Sequence, residues 1–190
     1  MLTAFGYEVE DLPPLISVDE FNLATGGAYA GDPRLDIALA SASGLIRMAC
    51  RWHVAPNLEC TLTTSASGRL LQLPALAVTD ISSVTEDGRE LAAGEYEYMR
   101  QGLLRRACFR EWTRTWGGIT VNYSAGFDEV PAELGDLVLA RVQGELALPY
   151  GVKSESAGGV SISYSDIGFS GGLSSLETML LAPYTLPTEV

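Results

Sequence analysis

The chain has 190 residues, 47% hydrophobic and 19% charged, with twelve Lys and Arg against twenty-four Asp and Glu for a formal net charge of −12. A chain of this length buries roughly 70% of its extended surface, so its core needs no disulfide or metal staple. No apolar run approaches the roughly 18 residues of a membrane span, and the acidic balance argues against a duplex-coating protein, which needs a basic face to displace counterions from phosphate. Met1 to Ser17 carries Glu8, Glu10, Asp11 and paired prolines but no Lys or Arg, unlike a secretory signal.

Ser17-Val18-Asp19-Glu20 has the S-x-x-E form of a capping box and predicts a short helix through Phe21 and Leu23, stopped by Gly26-Gly27. Asp32 as cap and Pro33 at the first helical position start a second, longer helix. Leu35, Ala38, Leu39, Ala42, Leu45, Ile46 and Ala49 keep one buried stripe, and Pro56 ends the run, so a helix over about 33–53 is expected. From Leu58 to Tyr123 the period shortens to two. Glu59 to Thr64, Arg69 to Leu73, Ile81 to Thr85, Arg89 to Leu91, Glu95 to Arg100, Leu103 to Phe109 and Ile119 to Tyr123 read as short antiparallel strands. Asp87-Gly88 and Gln101-Gly102 serve as hairpin turns.

Helical spacing returns at Pro131, with Leu134, Leu137, Val138, Val142 and Leu146 as the apolar stripe and Pro149 as its end. Gly135 and Gly144 each cost about 1 kcal/mol against alanine inside a helix, which a close-packed neighbour or a loose end would explain. Gly151 to Gly172 has a linker composition, rich in glycine and serine. Within it Val160, Ile162 and Tyr164 alternate with serines like a strand in need of an edge. A second capping box, Ser174-Ser175-Leu176-Glu177, then opens a short helix whose Leu173, Leu176, Leu180 and Tyr184 form one apolar line. So short a helix is marginal in water and must dock, on its own domain or on another molecule.

Catalytic patterns are missing. Cys50, Cys60 and Cys108 are odd in number and widely spaced, as expected of reduced and partly buried thiols. His53, the one histidine, has no ligand spacing around it for a metal site and no G-x-S-x-G elbow to serve. Phosphate and dinucleotide loops are absent too. The arginines are the remaining feature. On a strand from Leu103 to Arg110, Arg106 and Arg110 share a face and Arg105 takes the other. Together with Arg100, Arg106 and Arg110 are candidates for an inter-subunit contact or a touch on passing DNA; a solvated face paired with Glu95, Glu97 or Glu111 is the plain alternative.

Three stretches carry a resemblance: GGAYAGDPRLDIALASASGLIRMACRWHV (Gly26 to Val54), GGITVNYSAGFDEVPAEL (Gly117 to Leu134), and the tail ESAGGVSISYS with LETMLLAPYTLP. Together they resemble the head-to-tail adaptor, or connector, proteins of long-tailed bacteriophages. V-N-Y-S-A-G-F-D-E-V-P followed by a helix is the most specific piece. The resemblance spans about Leu23 to Pro187 and leaves out the first twenty residues and the Arg-rich hairpin. It implies a virion protein without catalysis or cofactor, assembled in the host cytoplasm into a ring, usually dodecameric, at the neck below the portal. Such a ring extends the DNA channel and links the capsid to the head-closure or stopper protein and the tail. The resemblance also implies that the C-terminal arm grips the portal, through Val160, Ile162 and Tyr164 by strand addition and through Leu173, Leu176, Leu180 and Tyr184 by a buried helix face.

The expected fold is α+β: a small helical bundle with an inserted block of short antiparallel β-strands and an extended C-terminal arm ending in a short amphipathic helix. Its parts are an N-terminal extension (1–16), a helical part (17–57), the β insertion (58–127), a helix completing the bundle (128–150) and the docking arm (151–190), ordered only on contact with a partner. The partners implied are the portal, the head-closure protein, other copies of the chain and passing DNA held without sequence specificity, with no membrane. The rival readings are another neck layer, such as a stopper or tail-completion protein, and a small hydrolase built on His53.

Overall fold

The computed structural model describes residues 2–147, 154–157, 160–163 and 173–187. In chain order the elements are β1 (Glu8–Val9), α1 (Val18–Ala24), α2 (Leu35–Cys50), β2 (Leu58–Thr64), β3 (Leu70–Gln72), β4 (Val78–Glu86), β5 (Arg89–Glu90), β6 (Tyr96–Tyr98), β7 (Leu103–Arg106), β8 (Ile119–Ala125), α3 (Ala132–Ala147), β9 (Ser154–Ala157), β10 (Val160–Ser163) and α4 (Ser175–Leu181). The fold class is α+β, as the sequence implied, with every strand pair among the described residues antiparallel. Two units form: Met1–Leu12, Cys50–Glu129 and Tyr184–Val190 make the first, Pro13–Ala49 and Val130–Pro183 the second. Residues 2–12 and 184–187 thus belong with the β insertion.

In the first unit a five-stranded sheet has the order β1-β2-β8-β4-β5, and a three-stranded sheet the order β3-β7-β6. Central β8 shows the alternation plainly: Ile119, Val121, Tyr123 and Ala125 are buried, while Thr120, Asn122 and Ser124 are not. The outer face is laced by polar side chains, with Thr61 donating to Asn122 and Asn122 to Ser83. Asp87 and Gly88 both take positive φ, 49° and 78°, the geometry a two-residue hairpin turn demands. The N-terminal segment is no mere extension, because β1 adds to the edge of β2.

In the second unit Ser17 caps α1, its side chain accepting from the Glu20 N–H while the Glu20 carboxylate accepts from the Ser17 N–H, the reciprocal pair foreseen from S-x-x-E. Asp32 accepts from the Arg34 N–H at the entry to α2. This helix starts at Leu35 and ends at Cys50, inside the expected 33–53, because Arg51 turns left-handed with φ 68°. Along α3 the expected stripe is buried, and a Cβ on Gly135 would sit 3.4 Å from Ile16 Cδ1, an ordinary van der Waals contact, so the packing does not demand that glycine. The strand expected at Val160 to Tyr164 has its edge within the arm: β10 pairs β9, Val160 opposite Ala157 and Ser163 opposite Ser154. Tyr164 lies outside the described residues.

Candidate docking surfaces

The arm helix is α4. Ser174 accepts from the Glu177 N–H and Glu177 from the Ser174 N–H, completing the second capping box. Its inward face differs from the expected apolar line. Leu181 is buried and Leu173 half-buried; between them Glu177 takes a two-pronged hydrogen bond from Arg141 of α3, at 2.8 and 2.9 Å. Desolvation pushes the Glu177 carboxyl up, but the hydrogen bonds from Arg141 and the Ser174 N–H outweigh it and hold the group below its ordinary value. Leu176 and Leu180, expected on the buried line, are 63% and 40% exposed, with Met179 beside them. Tyr184 is used at home as well: its carbonyl accepts from the Trp52 indole N–H at 2.7 Å, and its ring meets Phe127 edge-on. Two residues on, the Leu186 N–H donates to the Cys50 carbonyl and its side chain is buried. The expectation of an arm ordered only by a partner therefore needs correction for residues 173–187, which close on their own chain and leave one apolar face open.

The arginines separate just as sharply. Arg106, expected at the surface, is 3% exposed. Its guanidinium donates to the Glu95 carbonyl at 2.9 Å, lies 3.3 Å from the Glu86 carboxylate and stacks over the Trp112 ring. The side-chain period of β7 was right, Arg105 facing outward to Glu97 at 2.6 Å, but the face assigned to Arg106 was the buried one. Nor do Arg106 and Arg110 share a strand. β7 stops at Arg106, and Ala107–Phe109 forms a 3-10 turn in which Cys108 and Phe109 take φ of 54° and 58°. Each left-handed non-glycine residue costs roughly 1–2 kcal/mol. Arg100 and Arg110 are exposed, and among the described residues neither pairs with a carboxylate. Glu95 is held down to about 2 by hydrogen bonds from Arg89, with help from the Ala92 N–H.

Sequence periodicity passed over the excursion between β7 and β8, residues 107–118. Its middle is pinned: Trp112 is buried, the Trp112 N–H donates to the Gly68 carbonyl, and the Thr113 N–H donates to Glu86. On either side of that pin Phe109 and Trp116 stand 81% and 93% exposed. The signal that could have found them is composition, three aromatics among four arginines in the run from Arg105 to Trp116.

His53 is enclosed, with both ring nitrogens engaged. It is fully buried, and its Nε2 lies 2.8 Å from the Ala125 carbonyl, which only accepts, so Nε2 carries the proton. Nδ1 then accepts from the Tyr7 hydroxyl at 2.7 Å, and that hydroxyl in turn accepts from the His53 N–H. Cys50 and Cys60 are buried, their thiols pushed up to about 12 by burial, whereas Cys108 is exposed. Among the described residues no group of His, Cys, Asp or Glu is placed to hold a metal ion, and no helix is long and apolar enough to cross a membrane.

No family model and no curated protein matches the sequence. Solved structures do match, nearly end to end. A chain in the neck of an empty gene transfer agent (GTA) particle, computed with C6 symmetry, has a TM-score of 0.64 at 15% identity over 97% of each chain. The chain is similar in fold to a particle-neck protein. A chain in the neck of the native GTA particle, computed with C12 symmetry, matches with a TM-score of 0.59 at 13% identity, over 95% of this chain and 98% of that one. A chain in the virion of the native particle gives 0.62 at 15% identity over 97% of each.

Proposed function

We propose that this chain is a structural protein of the neck of a phage-like particle, a head-to-tail adaptor that forms a ring below the portal and continues the DNA channel toward the head-closure and tail proteins. The observation that carries the reading is the fold likeness to neck chains over 97% of both lengths. The neck computed with C12 symmetry favours a ring of twelve. A closed ring of one chain needs two different patches on each copy, one meeting the other around the circle. The net charge of −12 suits a passage that repels phosphate and lets DNA slide.

In this reading α4 is the portal contact, through the open face of Leu176, Met179 and Leu180 rather than through Tyr184, which is occupied at home. Val160 and Ile162 remain candidates for strand addition, now as one strand of the β9–β10 hairpin. Many weak contacts repeated around a ring give avidity that no single contact has. The test is particle assembly with Leu176→Asp and Leu180→Asp. Heads carrying either variant are expected to lose tail joining while the purified chain keeps its melting temperature; joining at the wild-type level would remove α4 from the portal contact.

A further inference from the structure

The excursion between β7 and β8 is built for display. Buried Trp112, the Arg106 stack beneath it and the backbone hydrogen bonds to Gly68 and Glu86 fix its course, so its order does not depend on Phe109 or Trp116. Those two side chains are nevertheless held out, Phe109 by a backbone in the left-handed region and Trp116 just before Gly117, whose φ is 66°. Arg69 lies over the Phe109 ring with its guanidinium carbon 5.4 Å from the centroid, so the ring is already oriented. Around them stand Arg110 and Arg114, both exposed. Aromatic and arginine side chains without lysine are the composition of an interface hot spot, and a preset loop loses little freedom on docking.

The charge of this patch selects its partner. Seven of the chain's twelve cationic residues, Arg69, Arg89, Arg100, Arg105, Arg106, Arg110 and Arg114, fall between positions 69 and 114, in a chain that is otherwise strongly acidic. The same unit carries a groove of about 470 Å³ on the polar face of the five-stranded sheet, where β1 meets β2. Glu8, Glu10 and Glu59 line it with Thr61 and Asn122, and no cationic side chain is among its walls. One surface is basic and aromatic, the other acidic and concave, and every copy has both. That is the requirement of a head-to-tail contact, which closes into a ring when the rotation between copies allows it.

We propose that the Phe109–Trp116 excursion of one copy docks in the Glu8–Glu10–Glu59 groove of the next and makes the lateral contact of the ring. The proposal rests on the ring reading above and specifies its surface. The exposed thiol of Cys108, beside Phe109, supplies the probe. In single variants Glu8→Cys and Glu59→Cys, oxidised glutathione takes up the two electrons and two protons as a disulfide forms between the new thiol and Cys108 of the adjoining copy. Each chain then offers one thiol of each kind, so denaturing gels should show a ladder of dimers, trimers and higher species, absent in the Cys108→Ser background. Adding Phe109→Ser and Trp116→Ser should cut the ladder at least about tenfold, as loss of hot-spot anchors does, with the melting temperature unchanged because both side chains are exposed.

The experiment is run on the purified chain and on purified particles, whose content of the chain is read independently by mass spectrometry. Particles that contain the chain but give no ladder overturn the contact and leave the neck reading standing. A ladder in solution from a chain missing from particles keeps the contact and overturns the neck reading. A product that stops at the dimer, or that survives loss of both aromatics, rejects this geometry.

Discussion

The α4 helix and the excursion at 107–118 both present apolar side chains to solvent, yet they are secured in opposite ways. The excursion is fastened from within, by a buried tryptophan, a buried arginine and backbone hydrogen bonds to Gly68 and Glu86. The short α4, Ser175–Leu181, is fastened at its edge by one ion pair and one buried leucine. The first is therefore a rigid plug that keeps its shape whether or not a partner is present. The second has fewer local fastenings, in keeping with the docking role proposed for it above.

Removing the fastening of the excursion should have the largest effect. Trp112→Ala is expected to cost about 3–5 kcal/mol in denaturant unfolding, the range for a large buried aromatic; a loss below about 1 kcal/mol would mean the pin is ornamental and the two regions are alike. Next comes Arg106→Met, which strands the Glu86 carboxylate in a partly buried site and should cost about 3 kcal/mol. Arg110→Met, at an exposed position four residues on, should stay within about 0.5 kcal/mol. Equal losses at Arg106 and Arg110 would undo the distinction between a structural and a displayed arginine.

At α4 the effects are smaller. Glu177→Gln is expected to cost about 1 kcal/mol at neutral pH, a partly exposed ion pair being screened by solvent. Because folding lowers the Glu177 carboxyl below its ordinary value, its contribution is present above the ordinary glutamate range and is lost as pH falls through the lowered value. Thermal unfolding of wild type and variant should therefore converge in acid and diverge toward neutrality; parallel curves would show that the Arg141 pair does not seat the helix. Smallest of all, Leu176→Asp should change the stability of the isolated chain by less than about 0.5 kcal/mol, leaving any assembly defect to be read as lost contact.

What the sequence made legible was chiefly local. Ser17 with Glu20 and Ser174 with Glu177 close their boxes within one turn, and Asp87-Gly88 sets its own φ values, so no distant contact could override them. Period-two alternation located the seven strands from β2 to β8, but it tells two faces apart without saying which is covered, and Arg106 went to the wrong one. The inward side of α4 was hidden because its middle residue is charged: a line through Leu173, Glu177 and Leu181 looks broken until Arg141 is seen opposite. Phe109 was hidden differently, by a left-handed pair that ends the strand where the alternation ran on. The return of Tyr184 and Leu186 to Trp52 and Cys50 spans more than 130 positions, beyond any local pattern.

That return changes the mechanics of the C-terminal region. Since Tyr184 and Leu186 are moored, whatever leaves α3 after Ala147 must come back. The β9–β10 pair lies within that closed stretch, its four paired positions reaching about 13 Å at roughly 3.3 Å per residue. Cutting it with a protease would leave both pieces attached.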